Sequence, residues 1–171
     1  MTPSPIAVTG ATGGIGSRVA RRLADRGVAQ RLVVRDPSRL PDLPGAEVAT
    51  FGGYDDPDGL TEALRGAEVA LIVSATEDAD RMSQHRAAVD AAVRAGVGRI
   101  VYTSFVNASP DATFTFVRDH FHTEEHIRAA GVDHTFLRDS VYLDFIPLLA
   151  GPDGAIRGPA GAGRLAPVAR D

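Results

Sequence analysis

From the N-terminal end to about residue 150, short apolar runs alternate with stretches whose apolar positions recur every three or four residues. Six runs have strand length: Ile6–Thr9, Arg31–Arg35, Glu47–Phe51, Val69–Ser74, Arg99–Ser104 and His134–Arg138. They are nearly continuous in Val, Ile and Leu, which predicts strands covered on both faces. Between them the helical spacing predicts helices over Gly14–Arg26, Pro57–Arg65, Arg81–Ala95 and Val117–Ala130, with a further one over Val141–Leu149. The boundaries are signposted. Gly27, Gly66, Gly96 and Gly131 each follow a helical run, and Pro57 after Asp55-Asp56 opens one. Strand-helix alternation of this kind predicts βαβ units and therefore an α/β fold with a mainly parallel sheet. The tail differs: Gly151–Gly163 holds five glycines and two prolines in 13 residues and reads as loop, before Arg164–Val168 resumes a strand-like pattern.

The first crossover carries the most specific chemistry. Gly10-Ala11-Thr12-Gly13-Gly14-Ile15-Gly16 follows the first apolar run directly and opens a helix on which Ile15, Val19 and Leu23 share a face. Glycines at 10, 13 and 16 let the chain turn tightly, approach a pyrophosphate and pack helix on strand. The helix N-terminus then offers free N–H groups and partial positive charge to the anion. A dinucleotide-binding Rossmann-type three-layer sandwich is the fold these features predict. Residues 1–150 form its NAD(P)-binding domain and 151–171 a Gly/Pro-rich tail. After the second strand a carboxylate normally holds the ribose hydroxyl of NAD, but this chain has Arg35, nineteen residues past Gly16. A guanidinium suits a 2′-phosphate, with Arg39 as a second cation, so NADPH is expected over NADH despite the adjacent Asp36.

Composition removes several classes. The 171 residues suit one domain, and a net charge of −4 gives no basic footprint for nucleic acid. Without cysteine there are no disulfides, thiolate metal sites or thiol nucleophiles. All 18 basic residues are arginine, so mechanisms that need a lysine ammonium are closed. No run approaches membrane-spanning length, and Met1-Thr2-Pro3-Ser4 does not open a signal peptide, so a cytoplasmic protein is expected.

With the glycine motif, Arg35, Asp56-Pro57 and the run Val101–Ser104 in hand, the chain resembles the NmrA-like atypical short-chain dehydrogenase/reductases, particularly their NAD(P)H-dependent quinone oxidoreductase branch. VTGATGGIG at 8–16, LVVRDPSRL at 32–40, AAVRAGVGRIVYTSF at 91–105 and HTEEHIRAAGVDHTFLRDSVYLDF at 122–145 carry the likeness. The resemblance implies that Gly10, Thr12, Gly13, Gly14, Ile15 and Gly16 hold the pyrophosphate and Arg35 the adenosine phosphate. It puts Ser74 and Ala75 beside the cofactor, and Ser104 with Leu137, Ser140 and Tyr142 at the nicotinamide end. It also makes 151–171 the beginning of a substrate-side segment. The usual Tyr-x-x-x-Lys pair is missing, because aligning Glu124 with the acidic residue that follows the lysine puts Phe116 at tyrosine and His120 at lysine. Reduction of a quinone or similar activated acceptor by direct hydride transfer survives that loss best, since positioning carries much of the barrier. His120, Tyr142 and Ser104 are the expected orienting or proton-donating groups.

Other readings compete with this one. A non-catalytic NADP-sensing regulator contrasts with the enzyme, and an isomerase using the cofactor transiently is a lesser alternative. His122-x-x-Glu125-His126 matches a zinc peptidase pattern, but it lacks a convincing third ligand. His120 has a bland reading as a solvent-facing or loop-capping residue. Met82, Gln84 and His85 read as helix surface or pocket rim, and Glu77, Asp78 and Asp80 as a solvated loop. The partner set is a small-molecule acceptor, with neither nucleic acid nor membrane, and a homodimer is compatible.

Overall fold

The computed structural model describes residues 5–76, 78–158 and 161–170, so the expectations for Met1–Ser4 and Glu77 lie outside the described residues. Among the described residues six strands and four α-helices follow in the order β1 Ile6–Thr9, α1 Gly14–Asp25, β2 Gln30–Val34, β3 Glu47–Thr50, α2 Pro57–Leu64, β4 Val69–Ile72, α3 Arg81–Arg94, β5 Arg99–Phe105, α4 Thr115–Ala129 and β6 Asp133–Asp139. Every pairing is parallel, in the order β3-β2-β1-β4-β5-β6. That order reverses between β1 and β4, where the chain leaves the sheet in opposite directions and a crevice opens at the strands' carboxyl ends. The helices cover both faces, giving the Rossmann-type sandwich.

Two apolar clusters hold the layers. One joins α2, α3 and α4 to the sheet through Leu60, Leu64, Val89, Ile100 and Ile127; the other packs α1 on Val8, Leu32 and Leu71. α2 starts where Asp56 accepts the Gly59 amide at 3.0 Å, with Pro57 next in the chain. The inner strands are covered on both faces as expected. β3 and β6 are not, because as edges they have a neighbour on one side only, and Val48 and Leu137 stay exposed.

Two further expectations need correction. Leu143–Leu149 is a 3-10 segment, not an α-helix: Pro147 lies inside it, lacks an N–H and blocks α-helical continuation. Arg164–Val168 forms no strand. Only Val168 bridges, in parallel to Tyr142, with Leu143 N–H on the Val168 carbonyl at 3.0 Å.

Candidate active site

The crevice is built first by the glycine turn. Gly10 takes a φ of +63°, and the Gly13 amide closes onto the Gly10 carbonyl at 2.8 Å. A Cβ at Gly16 would collide with the Gly10 carbonyl and the Ala11 amide, so α1 docks against the turn only through glycine. Gly13 caps α1 without a side chain, and no acidic residue sits in the first turn. That turn therefore suits an anion, with N–H groups facing out and no carboxylate to repel it. The Arg170 guanidinium lies over Gly14, paired with Asp144 at 2.6 Å from Nε and set against the rings of Tyr142 and Phe145.

At the end of β2, Arg35 is exposed and makes no hydrogen bond or ion pair among the described residues. Asp36 is already engaged. Its Oδ1 accepts both the Ser38 amide (3.0 Å) and the Ser38 hydroxyl (2.6 Å), capping the short turn Pro37–Arg39. Those bonds hold its carboxyl below the usual range. One oxygen of the carboxylate that would suit a ribose diol is thus occupied, while the cation beside it makes no such bond among the described residues.

The segment after β4 faces the glycine turn: a Cβ at Gly10 would stand 3.2 Å from Val73 Cβ. Ser74 and Ala75 are half-buried there.

The residues expected at the nicotinamide end come from β5, α4 and β6. Ser104 is buried, and its hydroxyl donates to Glu124 at 2.6 Å, toward α4. Glu124 is wholly buried, and Arg138 grips both of its oxygens at 2.9 and 2.6 Å, with Arg128 adding 3.0 Å. Burial alone would raise this carboxyl, but the Arg138 and Ser104 bonds outweigh it and the net shift is downward. His120 is also buried, which corrects the solvent-facing reading. Its Nε2 accepts from Arg81 at 2.8 Å and its Nδ1 meets the Tyr102 hydroxyl at 2.9 Å. Burial, then the Arg81 charge, pushes its pKa down to about 2, so the ring is neutral. His85 is buried too, at 2% exposure, not helix surface or rim. Tyr142 is half-buried with its hydroxyl on Asp139 at 2.7 Å; burial, then Asp139, raises its pKa. Leu137 is exposed on β6 and Ser140 lies just beyond it, half-buried.

Phe116, expected at the tyrosine position, belongs to an aromatic wall. Phe116 meets Phe105 edge-on at 5.5 Å between centroids and stacks with Phe114 at 5.6 Å, while Phe114 is 51% exposed. The zinc-like triplet is dispersed. His126 pairs with Asp90 at 2.7 Å, His122 is exposed, and no group of three or more His, Asp or Glu among the described residues is placed to hold a metal. Sequence reasoning missed Arg81, misread His85 as surface or rim, and gave Arg138 no partner, because the partners of all three lie on other elements.

Comparison with known proteins agrees with this architecture. The NAD(P)H-binding family model matches residues 10–146. Quinone oxidoreductase 2 of Escherichia coli is 34% identical over 96% of this chain, which spans 59% of that protein. A (4-alkanoyl-5-oxo-2,5-dihydrofuran-3-yl)methyl phosphate reductase of Streptomyces griseus is 39% identical over 81% of the chain and 48% of its own length. Among solved structures, an E. coli NADPH-dependent quinone oxidoreductase complexed with NADPH superposes with a TM-score of 0.84, at 33% identity, covering 96% of this chain and 60% of that one. Triphenylmethane reductase of Citrobacter, complexed with NADP(H), gives 0.75 at 32% identity over 84% of this chain and 52% of that one. The chain thus spans roughly half to three-fifths of these relatives. With its glycine turn, strand order and these likenesses together, the chain belongs to the NAD(P)H-binding family.

Proposed function

We propose that this chain is the cofactor-holding part of an NADPH-dependent oxidoreductase that passes hydride directly to a quinone or similar activated acceptor. Residues 151–171 then begin its substrate side. The observation that carries the reading is the pair at the end of β2: an exposed Arg35 with no hydrogen bond or ion pair among the described residues, beside an Asp36 held by Ser38. The relatives support it: the E. coli structure is described as complexed with NADPH and the Citrobacter one with NADP(H).

The backbone of 10–16 and the first turn of α1, where Arg170 now lies over Gly14, would receive the pyrophosphate, and Arg35 the 2′-phosphate. The reduced nicotinamide, when bound, supplies the hydride. Beyond that the chain's own groups bind and orient. Phe105, Phe114 and Phe116 form an apolar aromatic wall of the kind on which a planar ring stacks. Phe116 has no proton to give, and the three polar groups nearby are engaged: Ser104 with Glu124, His120 with Arg81 and Tyr102, Tyr142 with Asp139. They act as positioning residues, and the acceptor takes its proton from water. An acceptor that is already easily reduced tolerates this arrangement, whereas an ordinary ketone needs an acid.

Calorimetric titration with NADPH and NADH tests the reading, alongside Arg35→Asp. Loss of a charge-assisted pair predicts NADPH binding weakened by about tenfold or more, with NADH little changed. Equal losses for the two nucleotides would refute the assignment of Arg35. Tight NADPH binding with no oxidation across a quinone panel would favour the non-catalytic sensor.

A further inference from the structure

Beyond Ile72 the chain has left the sheet, yet the next amides do not go unpaired. Val73 N–H donates to Thr9 Oγ1 at 3.1 Å, Ser74 N–H to Thr103 Oγ1 at 2.8 Å, and Ala75 N–H to His85 Nε2 at 2.9 Å. Side chains from β1, β5 and α3 therefore suspend this segment one amide at a time. The Ala75 carbonyl is held as well, by Arg81 Nε at 3.0 Å. Both polar atoms of one residue are captured by two side chains that lie one helical turn apart on the same face of α3.

Arg81 is only 1% exposed. A buried guanidinium is costly unless its N–H groups find acceptors. Here Nη1 reaches Asp119 at 3.1 Å and Nη2 reaches His120 Nε2 at 2.8 Å, while the cation lies 4.2 Å from the centre of the Phe116 ring. One cation thus ties the segment after β4 to α4. The protons of the cluster are fixed by donors that cannot accept. Arg81 makes His120 Nε2 an acceptor, so the neutral ring carries its proton on Nδ1 and gives it to Tyr102. The Ala75 amide likewise makes His85 Nε2 an acceptor, so His85 Nδ1 donates to Thr123 at 2.8 Å. Thr123 passes its own proton to the Asp119 carbonyl at 2.8 Å. Both rings stay uncharged, since burial and then Arg81 lower His85 to about 3 and His120 to about 2.

We propose that Arg81 and His85 are positioning residues for cofactor binding: they fix the amide and carbonyl of Ala75 at the cleft wall that faces the glycine turn. The inference rests on the NADPH-binding reading above. Val73 contacts the Gly10 position, so a shift in this segment moves one wall of the crevice relative to the other.

The test uses the full chain with His85→Leu, which removes the acceptor, and His85→Gln, whose Oε1 reaches the place of Nε2 and restores it. NADPH affinity is measured by titration, and exchange of the Ala75 amide by NMR. His85→Leu is expected to weaken NADPH about tenfold and to deprotect the Ala75 amide, with His85→Gln recovering most of both. A merely structural histidine would lower Tm in both variants and leave affinity alone. Unchanged affinity in folded His85→Leu, or equal loss in both variants, overturns the proposal. Should His85→Leu not fold, Thr103→Val probes the neighbouring Ser74 amide in the same way, and wild-type affinity there also overturns it. Failure of the unaltered chain to bind NADPH at all is a different result and sinks the functional reading itself; the amide exchange still reports the clasp in that case.

Discussion

Glu124 makes the sharpest stability prediction, because a wholly buried carboxylate depends on partners from two other elements. Arg138→Leu removes two of its four hydrogen bonds, those at 2.9 and 2.6 Å, and leaves Ser104 and Arg128 in place. Breaking a fully buried ion pair costs about 3–5 kcal/mol. The Arg138 and Arg128 side chains are 45% and 40% exposed, so water screens part of the attraction and one cation remains. The loss expected is therefore about 2 kcal/mol. Urea unfolding of wild type, Arg138→Leu and Glu124→Gln, at about pH 7 and again at about pH 3, reads it. The sign follows from linkage. The folded carboxyl lies below its usual value, so its contribution is present above that value and is lost as pH falls through the folded pKa. Wild type should exceed Glu124→Gln most at neutral pH, and the gap should narrow in acid. If Arg138→Leu costs less than about 0.5 kcal/mol, or the gap widens in acid, the buried pair is not what stabilises this corner.

Three other substitutions follow from local geometry. Gly16→Ala forces a methyl onto the Gly10 carbonyl and the Ala11 amide, which are backbone and cannot swing away; Tm should fall and NADPH affinity drop by about tenfold or more. Gly14→Ala meets only the end of the Arg170 side chain, so calorimetry should find it the milder of the two. Gln30 is buried with its amide N–H on the Ala20 carbonyl at 2.8 Å and its Oε1 unpartnered among the described residues. Gln30→Leu removes that orphan and should shift unfolding free energy by less than about 1 kcal/mol, where an ordinary buried polar loss would cost more.

Which parts of the molecule were legible in the sequence follows from how far apart the interacting residues lie. The glycine turn is local: Gly10, Gly13 and Gly16 meet each other within seven residues, so the fold's first crossover can be read along the chain itself. Arg35 and Asp36 are equally local, and the cap that occupies Asp36 comes from Ser38, two residues on. Strand ends drift by one or two residues, as at Val69–Ile72 against the expected Val69–Ser74, because side-chain acceptors take over from the ladder at Val73. Leu143, Ile146 and Leu149 repeat every three residues, a spacing that 3-10 and α-helices share, so the pattern could not choose between them although Pro147 does. The groups of α3, α4, β5 and β6 are another matter. Arg81 reaches residues 119 and 120, His85 reaches 123, and Glu124 gathers 104 and 138, so each of these side chains looks like solvated surface until α3, α4, β5 and β6 are packed together. The glycine turn and the Arg35–Asp36 pair are therefore written within single turns of the chain, whereas the groups of α3, α4, β5 and β6 are set by long-range burial. That division explains why the glycine turn can be read from motif and position, while the aromatic wall at Phe105, Phe114 and Phe116 comes together only on folding.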